Sequence, residues 1–115
     1  MHHALRIARQ GARQGEIPVG ALVIDHDGTI LSTAHNETES LHDPTAHAEI
    51  LALRRAALRM GNHRLGGCIL VVTLEPCLMC TGALRESRVS GIVFGASDAR
   101  AGAVCSCIEG LDYAN

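Results

Sequence analysis

Cys68-Ile69-Leu70-Val71-Val72-Thr73-Leu74-Glu75-Pro76-Cys77-Leu78-Met79-Cys80 sets the architecture of this chain. The run Cys68–Val72 is short, continuous and apolar, which suits a strand buried on both faces. Pro76 then precedes a segment over 77–86 that reads as a helix. Gly91-Ile92-Val93-Phe94-Gly95 is a second buried strand. Upstream, 45–60 reads as a helix, opened by Asp43-Pro44-Thr45 and closed by Gly61-Asn62. Ala21–Ile24 and 29–33 flank Asp25-His26-Asp27-Gly28, a hairpin signal. Residues 2–14 read as a first helix, with Leu5, Ala8 and Ala12 as its apolar face. Arg54, Arg55 and Arg59 read as a solvated helix face. The order α-β-β-α-β-α-β predicts a three-layer α/β/α sandwich with a mixed sheet.

Composition narrows the class. With 115 residues and 47% hydrophobic content, the chain is expected to form one domain around a real core. Tyr113 and Phe94 are its aromatics, so that core is aliphatic. No apolar run approaches the ~20 residues needed to span a bilayer, and no signal-peptide pattern opens the sequence. The expectation is a soluble cytoplasmic protein that makes no membrane contact. All ten basic residues are Arg against twelve acids, a formal charge of −2, so bulk charge does not point to nucleic acid. Five cysteines in such a setting favour metal binding or catalysis over a disulfide framework.

The chemistry gathers in two short motifs. Cys77 and Cys80 are i and i+3, on one face of a helix start where N–H groups and dipole favour thiolates. His47 opens the other helix, so two helix N-termini could converge on one ion. Three protein ligands, His47, Cys77 and Cys80, leave a fourth position for water, the pattern of a catalytic zinc site. Glu49, two residues beyond His47, is poorly placed to chelate beside it but well placed to exchange protons with that water. Taken alone, Cys-x-x-Cys also fits a redox pair, a structural half-site or two buried thiols. Cys68 reads as core packing, Cys105 and Cys107 as residues of a weak helical pattern over 105–115, and Glu75 as a capping or ion-pair residue.

Together, His47-Ala48-Glu49 and Pro76-Cys77-Leu78-Met79-Cys80 resemble the zinc deaminases of the cytidine-deaminase-like superfamily. Glu16-Ile17-Pro18-Val19-Gly20-Ala21, the run 43–50, Thr73-Leu74-Glu75 and the block 92–103 are similar to the bacterial tRNA adenosine deaminase (TadA) family. That resemblance implies the α/β/α deaminase fold, Zn2+ on His47, Cys77 and Cys80, and Glu49 as proton shuttle. It further implies base contacts from Asn36 and the Ala48 N–H, packing of Val19 on the base, and Asp98 beside the nucleotide's sugar. The substrate implied is a looped or single-stranded nucleic acid, a tRNA anticodon loop or single-stranded DNA, and the assembly a homodimer. The single domain 1–115 is expected to lack the family's C-terminal strand and helix. That shortness and the acidic loop 37–40 leave open a free nucleobase substrate of guanine or cytosine type. A non-catalytic zinc-stabilised binding module is the remaining alternative, and a fourth protein ligand would mark it.

Overall fold

The computed structural model describes residues 1–105. Its elements are α1 (His2–Arg13), β1 (Gly20–Ile24), β2 (Ile30–His35), α2 (Ala48–Met60), β3 (Ile69–Leu74), α3 (Leu78–Ser87) and β4 (Gly91–Ala96). The sheet order is β2-β1-β3-β4. β1 runs antiparallel to β2 and β3, while β3 and β4 are parallel, so the sheet is mixed as expected. Most of the weak helical pattern over 105–115, with Cys107, lies outside the described residues.

Side-chain alternation along the strands builds the three layers. Ala21 and Val23 of β1, with Leu70 and Val72 of β3, join the core that α2 and α3 cover. Leu22 and Val71 point to the other face, where Ala4 and Ile7 of α1 meet them. Cys68 is fully buried in the larger core, as a packing residue. No helix among the described residues is long and apolar enough to cross a membrane.

Three local readings change. The buried face of α1 is Ala4, Ile7, Ala8 and Gly11, not Leu5, Ala8 and Ala12. Close approach to the strands decides this, because a Cβ on Gly20 would lie 2.1 Å from the Ala4 carbonyl oxygen. α2 starts at Ala48, three residues later than the sequence suggests. Asp43 is spent on a separate turn, accepting from the Thr45 N–H at 2.8 Å and the Thr45 hydroxyl at 2.7 Å. The arginines of α2 are not simply solvated. Arg55 donates to the Thr33 carbonyl and to Glu37, and Arg59 to the carbonyls of Ile30 and Leu31. These guanidinium groups cover the outer edge of β2, which would otherwise present free backbone acceptors.

The α1–β1 contact gives a direct test. Gly20→Ala should cost about 1–3 kcal/mol through overpacking against α1. Gly66→Ala, where a Cβ meets nothing within 4 Å, should change stability by less than about 0.5 kcal/mol. Urea unfolding of the two variants beside the parent measures the difference.

Candidate metal centre

Two helix starts meet at one end of the sheet. His47 is the N-cap of α2 and Cys77 the N-cap of α3, each with extended backbone and neither with a side-chain capping bond. Both side chains therefore stand just ahead of their helices, a position usually held by Ser, Thr, Asp or Asn. Cys80 follows in the first turn of α3 and is buried. His47 Nδ1 lies 3.6 Å from Cys77 Sγ and 3.4 Å from Cys80 Sγ, and all three ligand atoms fall within 4.8 Å of one another.

Those separations fit a tetrahedral ion. Bonds of about 2.3 Å to sulfur and 2.0–2.1 Å to nitrogen set N···S edges of roughly 3.6 Å. The donor set also suits zinc. A hydrogen bond from Cys80, helped by backbone N–H groups of α3 and the charge of His47, lowers the Cys77 thiol to about 5. Cys80 is pushed up in turn, mainly by its hydrogen bond to Cys77 and then by burial. Cys105 is exposed and stands outside the cluster, so among the described residues the donor set has three members.

Glu49 sits in the first turn of α2 and is only 4% exposed. Burial raises its pKa, and the neighbouring Cys77 adds to the rise. Cys77, His47 and Cys80 all act on the charge of its carboxyl, which therefore lies close to the ligand cluster. Asn36 is buried, and its Oδ1 accepts from the Ala48 N–H at 2.7 Å. The N–H expected to meet a base is thus held by the side chain expected to meet the same base. Val19 is buried in the larger core, and its carbonyl accepts from the Asn36 N–H. Asp98 is half-buried, and its Oδ1 caps a turn by accepting from the Arg100 and Ala101 N–H groups.

Two glutamates organise the loops around these residues. Glu16, 5% exposed, accepts from the Glu39 and Ser40 N–H groups at 3.1 and 2.8 Å. Sequence reasoning passed over it. Glu75, 2% exposed, accepts from the Asp98 N–H at 3.1 Å and from the Val104 and Cys105 N–H groups at 3.1 and 2.8 Å. That makes it a capping residue, one of its two expected roles. The available signal was an acid beside a predicted breaker, Glu16 before Pro18 and Glu75 before Pro76.

Glu16 supports a pH prediction. Burial opposes its charge, but the hydrogen bonds from Ser40 and Glu39 win and hold its pKa below the ordinary 4.5. A carboxyl with a lower pKa when folded stabilises above its unfolded pKa, and that stability is lost as pH falls through the folded value. The parent should melt above Glu16→Gln at pH 6–7, and the gap should close below about pH 4.5. Melting temperatures of both proteins across pH 3–7 provide the measurement.

Comparison with known proteins places the site. Residues 1–96 match the family model for the cytidine and deoxycytidylate deaminase zinc-binding region. A tRNA-specific adenosine deaminase of Aquifex aeolicus (strain VF5) is 49% identical over 109 residues, covering 95% of this chain and 72% of that protein. A solved structure from a study of A-to-I editing by tRNA:A34 deaminases superposes with a TM-score of 0.89 at 42% identity, over 92% of this chain and 81% of that one. Guanine deaminase from Bacillus subtilis superposes with a TM-score of 0.81 at 36% identity, over 84% of this chain and 61% of that one. With its His/Cys/Cys cluster at paired helix starts, the chain belongs to the cytidine and deoxycytidylate deaminase zinc-binding family, on the branch of the tRNA-specific adenosine deaminases.

Proposed function

We propose that this protein is a zinc-dependent hydrolytic deaminase that converts adenosine to inosine in an RNA loop, the tRNA wobble position being the substrate to test first. The observation that carries the reading is the Glu49 carboxyl, buried beside a cluster of three metal-ligating side chains. His47, Cys77 and Cys80 would hold the ion. Zinc bound there supplies Lewis acidity that makes a water nucleophilic near neutral pH. The chain's own residues do the rest. Glu49 takes a proton from the attacking water and delivers it to ring N1, which makes C6 electrophilic. The water oxygen bonds to C6; Glu49 then takes the remaining proton from that C6 hydroxyl and passes it to the amine, so that the C6–N bond breaks, ammonia leaves and the C6 carbonyl of inosine forms. Its raised pKa suits a group that must both accept and release a proton.

Asn36 and Ala48 act as one unit in this reading. With Oδ1 held by the Ala48 N–H, the Asn36 amide nitrogen is the group left to donate to an acceptor on the base. Val19 supports the base face, and Asp98 stands by the sugar on the loop that Glu75 gathers. A target base must leave its stack to reach such a site, which favours a loop. The resemblance also implies a homodimer in the cytoplasm, and exposed Leu58, Leu78 and Met79 are apolar surface a second copy could cover.

A free base is the second reading, favoured by the likeness to guanine deaminase. Salt separates the two, since an RNA substrate loses affinity steeply with salt and a neutral base does not. An anticodon-loop RNA incubated with the zinc-loaded protein should gain about one dalton per event, the mass change of NH exchanged for O. Glu49→Ala should slow this by about 10²–10⁴-fold or more while retaining metal. Product from free guanine alone would transfer the assignment. No product from either substrate at full zinc loading would end it.

A further inference from the structure

α1 carries charge that the fold does not use. Arg6, Arg9 and Arg13 are exposed and spaced by three and four residues, so they form one row about 10 Å long. The row lies opposite the buried face of Ala4, Ile7, Ala8 and Gly11. Residues 1–15 contain these three arginines and no acid. Among the described residues, none of the three guanidinium groups has an ion pair or hydrogen bond. Like charges at these spacings oppose helix formation, so the row works against its own helix. Arg55 and Arg59 differ, because both are committed to the β2 edge.

Residues 16–49 show the reverse, with seven acids and no Arg. Nearly all of these acids are occupied within the chain. Glu16, Asp27 and Asp43 accept backbone N–H groups, Asp25 pairs with His26, Glu37 pairs with Arg55, and Glu49 is buried. The buried face of α1, opposite the arginine row, meets the strand end that leads to Asn36. A Cβ on Gly11 would lie 2.8 Å from His35 Cγ, and His35 Nδ1 donates to the Asn36 carbonyl at 2.8 Å. Just beyond α1, Glu16 holds the loop that follows Asn36.

We propose that Arg6, Arg9 and Arg13 form a phosphate-binding track for the RNA substrate on the exposed face of α1, the helix whose C-terminal end meets the strand that leads to Asn36. This rests on the RNA reading above. Guanidinium groups suit the task because they stay charged and grip phosphate oxygens in pairs.

The test is binding of an anticodon stem-loop RNA by fluorescence anisotropy across a salt series. Arg6→Gln/Arg9→Gln/Arg13→Gln should keep the fold, since the positions are exposed and Gln is a good helix former. A second triple, Arg54→Gln/Arg64→Gln/Arg88→Gln, removes the same charge elsewhere. Each phosphate contact contributes about 0.7–0.9 to the slope of log K against log salt, so the α1 triple should flatten it by about 2–3. The KM for RNA should rise with kcat unchanged, and zinc content should hold. An unchanged slope, or equal flattening in both triples, overturns the track. If the parent deaminates the RNA in that case, the functional reading stands and only the track falls. A parent that deaminates a free base and not the RNA refutes the RNA reading and the track with it.

Discussion

One imidazole nitrogen, 3.4 and 3.6 Å from two sulfurs, is the contact around which this molecule is arranged. It joins two helices that β3 separates in the chain. β2 and β3 both run antiparallel to β1, so the loops that lead from them into α2 and α3 emerge at one end of the sheet. The ligands occupy N-cap positions, where the backbone is still extended and the side chain projects ahead of the helix. An ordinary cap would turn its oxygen back onto the first N–H groups. Here Asn36 takes the Ala48 N–H instead, which leaves His47 free to face the sulfurs.

Irregular loops beside such a centre need partners for their backbone N–H groups. Glu16 and Glu75 supply them from opposite sides, each carboxylate accepting with both oxygens. A carboxylate is well suited to this because it accepts several bonds and offers no competing donor. Glutamine in either place would turn an N–H toward an N–H. Much of the acidic content of the sequence therefore serves to fix local structure.

The element order was legible because it rests on short-range signals: an apolar strand run, an Asp-Gly turn, and glycine or proline at helix ends. Gly61 does close α2 in the left-handed conformation. The three ligand types were legible because their spacing constrains geometry strongly. The face of α1 was not, since Gly20 and His35 select it from across the sheet. The start of α2 was misplaced because Asp43-Pro44-Thr45 also describes an isolated turn. The roles of Arg55 and Arg59 depend on which strand lies at the sheet edge, a matter of topology and not of helical pattern.

Net charge was a poor guide for a related reason. A total of −2 says little when positive and negative residues occupy different regions. Asp25 and Asp27 sit at the hairpin turn, at the far end of β1 from Gly20. Five strand residues at about 3.3 Å each separate that turn from the metal end by roughly 16 Å. At physiological ionic strength the Debye length is about 8 Å. The metal end therefore lies about two screening lengths from the hairpin acids, and a phosphate lying on α1 has Arg6, Arg9 and Arg13 at close range. Of the nearer acids, Glu37 is neutralised by Arg55 and Glu16 is turned inward onto backbone N–H groups, which leaves Glu39 as the exposed acid of that loop. A chain acidic in sum can thus present a basic surface to a polyanion, because it is the placement of charge within a screening length that sets the local field.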